Sequence, residues 1–251
     1  RLKPFSRRAG NRIENTVRSG CYRSRWLRDL CTSQDVCDLM ASIYQTEISP
    51  HSMPVHLGHL NYQPTKLEEA VDKWHHDTIP LDYVMMVSDP KKLHGGGFEY
   101  FMGTKMEVEE LAKKGKTPPR ERVISPVFPG PGYAVALHGN MVVHRGAPLI
   151  KPGERITMVN AYVSMNCLVD DQSRSRDLIG IDDPASLYTE WAKHASWRTQ
   201  NRLKKIIDPM AFDQDPKQVL DKLESAAKDL LKTIDDMKAG PREAQHYEQK
   251  S

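Results

Sequence analysis

The sequence predicts a mainly β fold flanked by helices. Two observations carry this expectation. From Trp74 to about Met165, short runs rich in Val, Ile, Tyr and Phe alternate with Gly, Pro and Asn. Strand-like runs at that spacing are the mark of a β-sandwich or barrel. On either side of that stretch, apolar residues recur at helical spacing instead.

The elements follow in order. Residues 1–28 hold nine Lys or Arg against one Glu. They read as a solvated face, because no aromatic ladder accompanies the charges. Residues 34–48 place Val36, Leu39, Met40 and Ile43 on one helical stripe. Residues 65–73 read as a short helix, with Thr65 as N-cap and Glu68 three residues later. Strands are expected at 79–87, 98–104, 133–138, 141–144 and 155–164, separated by the turn signals HGGG, FPGPG, HGN and KPG. The charged excursion from Lys105 to Arg122 predicts a short helix and a loop. Helices are expected at 186–207 and 215–238, the second ending at Gly240-Pro241.

Composition narrows the function. Charged residues make up 27% of the chain, hydrophobic residues 39%, and the net charge is only +3. That balance argues against a nucleic-acid partner. No apolar run approaches the roughly 18 residues of a membrane span, and Arg1-Leu2-Lys3-Pro4 has no secretory h-region. The four cysteines, Cys21, Cys31, Cys37 and Cys167, form no CxxC pair. A reduced, cytoplasmic setting without disulfides is expected.

The chemistry concentrates in WHHDTIP, Trp74 to Pro80. Side chains two apart on a strand share a face, so His75 and Asp77 point together and His76 points away. In MVVHRGAPL, His144 ends a β-branched run. Two imidazoles and one carboxylate form a facial set that leaves three coordination sites open, the signature of non-haem Fe(II) oxygenases. Eleven residues after His144 stands Arg155, opening RITMVNAYV, with Thr157 on the same face. A guanidinium fork grips carboxylates. A metal with open sites and a carboxylate clamp together suit 2-oxoglutarate, a chelator at one end and a carboxylate at the other.

WHHD, GGGFEYFMGT, GYAVALHGNMVVHRGAPL and GERITMV together resemble the Fe(II)/2-oxoglutarate-dependent dioxygenases, fungal members in particular. The resemblance covers about residues 74–165. It implies a double-stranded β-helix (jelly-roll, cupin-like) core there, within a single catalytic domain spanning 1–251 that has a helical and strand flank at 1–73 and a helical region at 171–251. It implies His75, Asp77 and His144 as iron ligands, Arg155 on the distal carboxylate of 2-oxoglutarate, and Thr157 as its hydroxyl helper. Asp77 departs from the halogenase pattern and Arg155 from the prolyl-hydroxylase pattern. Ala161 stands where nucleic-acid demethylases tend to carry a second Arg. The implied activity is oxidation of a C–H bond of a small molecule, by hydroxylation, desaturation or ring closure. It uses Fe(II), O2 and 2-oxoglutarate, with ascorbate as reductant, and releases succinate and CO2. The alternatives are a jelly-roll metal-binding protein without turnover and a cupin-type metalloenzyme that uses no 2-oxo acid.

Other residues carry weaker expectations. His56 and His59 read as pocket lining, and His94 and His138 as ordinary polar residues. Asn61 and Tyr62 are within reach of a ligand in one reading and structural in the other. Phe98 and Tyr100 share a face opposite Phe101. Arg122 and Arg145 are candidate substrate anchors, and the C-terminal helices a candidate homodimer contact.

Overall fold

The structure, a computed structural model, describes residues 1–212, 215–243 and 246–248. Its strands are β1 (Arg7–Ala9), β2 (Ile13–Val17), β3 (Ile48–Pro50), β4 (His59–Tyr62), β5 (Asp72–His75), β6 (Leu81–Met86), β7 (Phe98–Phe101), β8 (Val123–Ile124), β9 (Ala134–Leu137), β10 (His144–Gly146) and β11 (Ile156–Ser164). They make two antiparallel sheets. The larger is ordered β1-β2-β4-β11-β6-β9, with β3 pairing on the far end of β11, and the smaller β5-β10-β7-β8. From β4 onward the chain winds between the sheets. β4, β6, β9 and β11 lie in the larger sheet, and β5, β7, β8 and β10 in the smaller. This is the eight-stranded jelly roll, and it matches the expected fold class.

Strand β11 anchors the larger sheet because it pairs along both edges. Its alternation sorts the two faces. Thr157 and Val159 line the central cavity, while Met158 and Tyr162 pack outward. The outward face is covered by helices. These are α1 (Gly20–Arg23), α2 (Arg25–Cys31) and α3 (Gln34–Tyr44). Leu27, Cys31, Cys37 and Met40 form one cluster with Leu60, Met158 and Tyr162. Each such side chain contributes roughly 1.5–3 kcal/mol on full burial. All four cysteines are free and buried.

Helix α4 (Lys105–Lys113) starts in a Thr104/Glu107 capping box. Helices α5 (Pro184–Ile207) and α6 (Pro216–Ala239) each open with an Asp cap and a Pro at the first turn, and they pack on one another. Leu220, Leu223, Leu231 and Ile234 of α6 remain exposed. No helix among the described residues is long and apolar enough to cross a membrane.

Three local expectations need correction. Residues 65–71 form turns, not a helix. Thr65 N–H is taken by Glu14 Oε2 at 2.7 Å, Glu68 sits at φ 69°, and Val71 N–H bonds Gly146 O as the chain enters β5. The cap signal lost to strand pairing. Second, WHHD does not open a strand. His75 closes β5, and Asp77 lies in the crossing to β6. Third, the basic N-terminal stretch is not simply a solvated face. β1 and β2 extend the larger sheet, Ile13, Thr16 and Val17 are buried, and Arg18 is only 9% exposed.

Candidate active site

Strands β5 and β10 pair so that His75 and His144 stand directly opposite each other. Side chains on such a pair are close neighbours, and the ring centroids are 4.2 Å apart. Asp77 reaches the same point from the loop. Its N–H donates to Gly139 O at 2.7 Å. Only glycine fits at 139, since a Cβ there would lie 2.0 Å from Asp82 Oδ2 and 2.9 Å from Asp77 Oδ2. His75 Nε2 is 3.4 Å from Asp77 Oδ1, and His144 Nε2 is 3.3 Å from Asp77 Oδ2.

The hydrogen bonds around this triad fix what it can hold. His75 Nδ1 lies 2.6 Å from Lys73 O, and His144 Nδ1 lies 2.9 Å from Val142 O. A carbonyl only accepts, so each Nδ1 carries the hydrogen. Each Nε2 therefore turns a lone pair toward the carboxylate. Three acceptors converge with no donor among them, which calls for a cation. The titration directions show the site drawing on a proton as its positive charge when no metal supplies one. Against burial, Asp77 raises His144, and against burial, the two imidazoles hold Asp77 well below the usual carboxylate range. Burial lowers His75. Two imidazoles and a carboxylate suit a first-row divalent metal. Ligand atoms about 2.1 Å from a common ion and at right angles sit about 3 Å apart. The carbonyl bonds on Nδ1 are the outer contacts that metal-binding histidines need.

Arg155 immediately precedes β11 and is 2% exposed. Its Nε donates to Gly96 O at 2.6 Å, and its Nη1 donates to Thr157 Oγ1 at 3.2 Å. Gly96 makes this possible at φ 72°, where a Cβ would press on Leu149 and on Arg155 Cδ. Burial pulls Arg155 down to about 10, so it stays cationic at neutral pH. It makes no ion pair among the described residues. A buried cation with neutral partners is a receptor for an anion. The triad, Arg155 and Thr157 all line one cavity of about 80 Å³. Val84, Phe98 and Val159 supply apolar wall.

The remaining expectations sort by sheet face. His76 points away from the cavity, its Nδ1 2.7 Å from Tyr247 Oη. His56, His59, Asn61 and Arg145 line the cavity, and Phe98 rather than Phe101 faces it. Tyr62 packs in the helix-covered core. Arg122 lies outside, held by Glu107 and Met102 O. His94 and His138 are exposed. Arg12, Arg18 and Asp72 also line the cavity, and reading the basic segment as a surface hid the two arginines. Asp82 was not singled out either. It is fully buried, its oxygens lack partners among the described residues, and burial and then Asp77 push its carboxyl well above the usual range.

A second histidine–carboxylate cluster lies elsewhere. His51, Asp171 and His194 bring ligand-type atoms equally close together. His194 Nε2 is 2.6 Å from Asp171 Oδ2, and its Nδ1 is 2.6 Å from Ser52 Oγ. His51 Nδ1 accepts from Met53 N–H at 3.1 Å, and its Nε2 lies 2.9 Å from Ser173 Oγ. The two rings stack at 4.8 Å. No single motif marks this cluster in the sequence, because its members come from three separate segments.

No protein-family model matches the chain, and no curated protein matches it. Similar solved structures exist at low identity. EctD from S. alaskensis with bound Fe is 16% identical over 64% of this chain and 63% of its own, at a TM-score of 0.45. HygX from Streptomyces hygroscopicus with iron bound is 13% identical over 60% and 72%, at 0.42. The non-heme alpha ketoglutarate dependent epimerase SnoN from nogalamycin biosynthesis is 14% identical, at 0.41, and this chain spans 63% of its length.

Proposed function

We propose that this chain is a non-haem Fe(II)- and 2-oxoglutarate-dependent oxygenase acting on a small molecule. One observation carries the reading: three convergent acceptors with no hydrogen among them share a cavity with an ion-pair-free, buried Arg155. His75, Asp77 and His144 hold the ferrous ion. Arg155 takes the distal carboxylate of 2-oxoglutarate. Thr157 Oγ1 accepts from Arg155 Nη1, which aims the guanidinium and leaves the hydroxyl hydrogen for the same carboxylate. Bound together, iron and 2-oxoglutarate supply O2 activation and oxidative decarboxylation, with succinate and CO2 released.

The protein contributes orientation and dryness. Asp77 and the two imidazoles would hold the metal, and Arg155 would orient the 2-oxo acid beside it. Val84, Phe98 and Val159 exclude water and seat the C–H bond to be oxidised. The product is a hydroxylated, desaturated or cyclised small molecule. The Arg155 clamp favours this reading over a metalloenzyme that uses no 2-oxo acid.

The test is substrate-stimulated succinate release with Fe(II), 2-oxoglutarate and ascorbate, screened over amino acids and secondary metabolites. Turnover that disappears in Asp77→Ala supports the reading. Failure of the iron-loaded protein to bind 2-oxoglutarate overturns it.

A further inference from the structure

We infer that the substrate carries a carboxylate and that Arg18 is the residue that receives it. This deepens the oxygenase reading and rests on it. Arg18 follows β2 and is 9% exposed. It stands in the wall between the central cavity and an outer groove of about 360 Å³. Its Nε pairs with Asp182 Oδ2 at 3.3 Å, and its Nη1 is 3.2 Å from His59 Nδ1. Its Nη2 is buried with no partner among the described residues. A buried donor left unpaired costs about 1–3 kcal/mol, so an acceptor belongs there.

Charge says what kind of acceptor. Asp182 gives its other oxygen to Arg7. Two guanidiniums therefore share the Asp182 carboxylate, and the other acidic groups beside them, Asp183 and Glu190, line the outer groove and not the central cavity. Arg12 differs, because its Nε meets Asp72 at 2.9 Å.

The neighbours fix the direction. Arg18 can only donate, so His59 Nδ1 accepts, and His59 Nε2–H donates to Thr16 Oγ1 at 2.6 Å. Thr16 Oγ1 has one hydrogen to share between Asn61 Oδ1 at 2.9 Å and Leu60 O at 3.0 Å. In either case the Asn61 NH2 is a donor. Asn61 and Arg18 line the same cavity as the triad. A guanidinium and an amide N–H side by side fit the two oxygens of one carboxylate.

This anion position is separate from Arg155. Val17 pairs with Leu60, and Leu60 pairs with Met158. Arg18 is therefore level with Val159, four residues along β11 from Arg155, or about 13 Å at 3.3 Å per residue. The apolar wall then receives the hydrocarbon part of the acid.

The experiment uses the full chain with Mn(II) in the triad and saturating 2-oxoglutarate, and carbon-13 acetate as probe. Mn(II) shortens the relaxation times of nuclei bound near it. The wild type is expected to show saturable acetate relaxation that falls at least tenfold in Arg18→Gln, and acetamide should show none. Arg18→Lys, which keeps the charge but loses the fork, should fall between. Thermal unfolding of each variant confirms that it is folded. Acetate relaxation that is absent in the wild type, unchanged in Arg18→Gln, or matched by acetamide overturns the inference. So does a loss of 2-oxoglutarate affinity in Arg18→Gln as large as in Arg155→Gln, because Arg18 would then belong to the cosubstrate clamp. Failure of the wild type to bind 2-oxoglutarate defeats the oxygenase reading instead, and the acetate comparison still reports on Arg18.

Discussion

Among the described residues, two clusters share the same residue types, two histidines and an aspartate, at similar spacing. Their hydrogen bonds make them opposites. At His75/Asp77/His144, backbone carbonyls claim both Nδ1 hydrogens, and the lone pairs converge unanswered. At His51/Asp171/His194, every ring nitrogen has a complementary partner, and the Arg198 guanidinium lies 3.5 Å from Asp171 Oδ2. Among the described residues, the second cluster has a protein cation of its own, Arg198, and the Asp77 carboxylate of the first pairs with no Lys or Arg. Proximity of ligand-type atoms therefore does not define a metal site. What defines it is which atom holds each hydrogen, and here backbone position sets that.

The largest expected effect tests the first cluster. Asp77→Ala or His144→Ala should weaken Fe(II) binding by at least about 100-fold, more than the 10–100-fold of outer-contact losses, and should abolish succinate formation. His194→Ala should leave both intact. Metal titration should give one equivalent per chain, and a second equivalent that disappears in His51→Ala would erase the contrast.

Stability should divide the clusters the other way. His194→Ala strips Asp171 of a buried partner and should cost about 3 kcal/mol in urea unfolding.

The smallest effect is in pH. Burial lowers His51 from its ordinary 6.5 to about 3. The unfolded chain takes up this proton below 6.5 and the folded one does not. The contribution of His51 to stability is thus intact above about 6.5 and is lost as pH falls from there to about 3. The slope reaches at most about 1.4 kcal/mol per pH unit. His51→Asn should flatten the urea-derived stability profile in that window, and an unchanged slope would mean that the ring is hydrated and free to protonate.

Much of this was legible along the chain. β11, α3, α5 and α6 were readable because their apolar periods run long enough to outweigh competing signals. His75, Asp77, His144, Arg155 and Thr157 were nameable because polar groups at the ends of β-branched runs have few structural uses. Strands were expected somewhere in the flank 1–73, but β1, β2 and β4 were not located there. They are short, and their pairing depends on β11, more than ninety residues downstream. The turn at 65–71 was misread because a cap motif is a local preference, and the pull of β5 onto β10 is stronger.

Local sequence determined the β core with helical flanks and the kind of chemistry its polar residues can perform, because strand period and residue type act at short range. Tertiary structure alone decided which imidazole nitrogens carry hydrogen, that Arg18 stands at the cavity wall rather than in solvent, and that the second histidine cluster is already satisfied. Those outcomes depend on partners from distant segments, and the relevant energies arise only when burial removes water as the alternative partner.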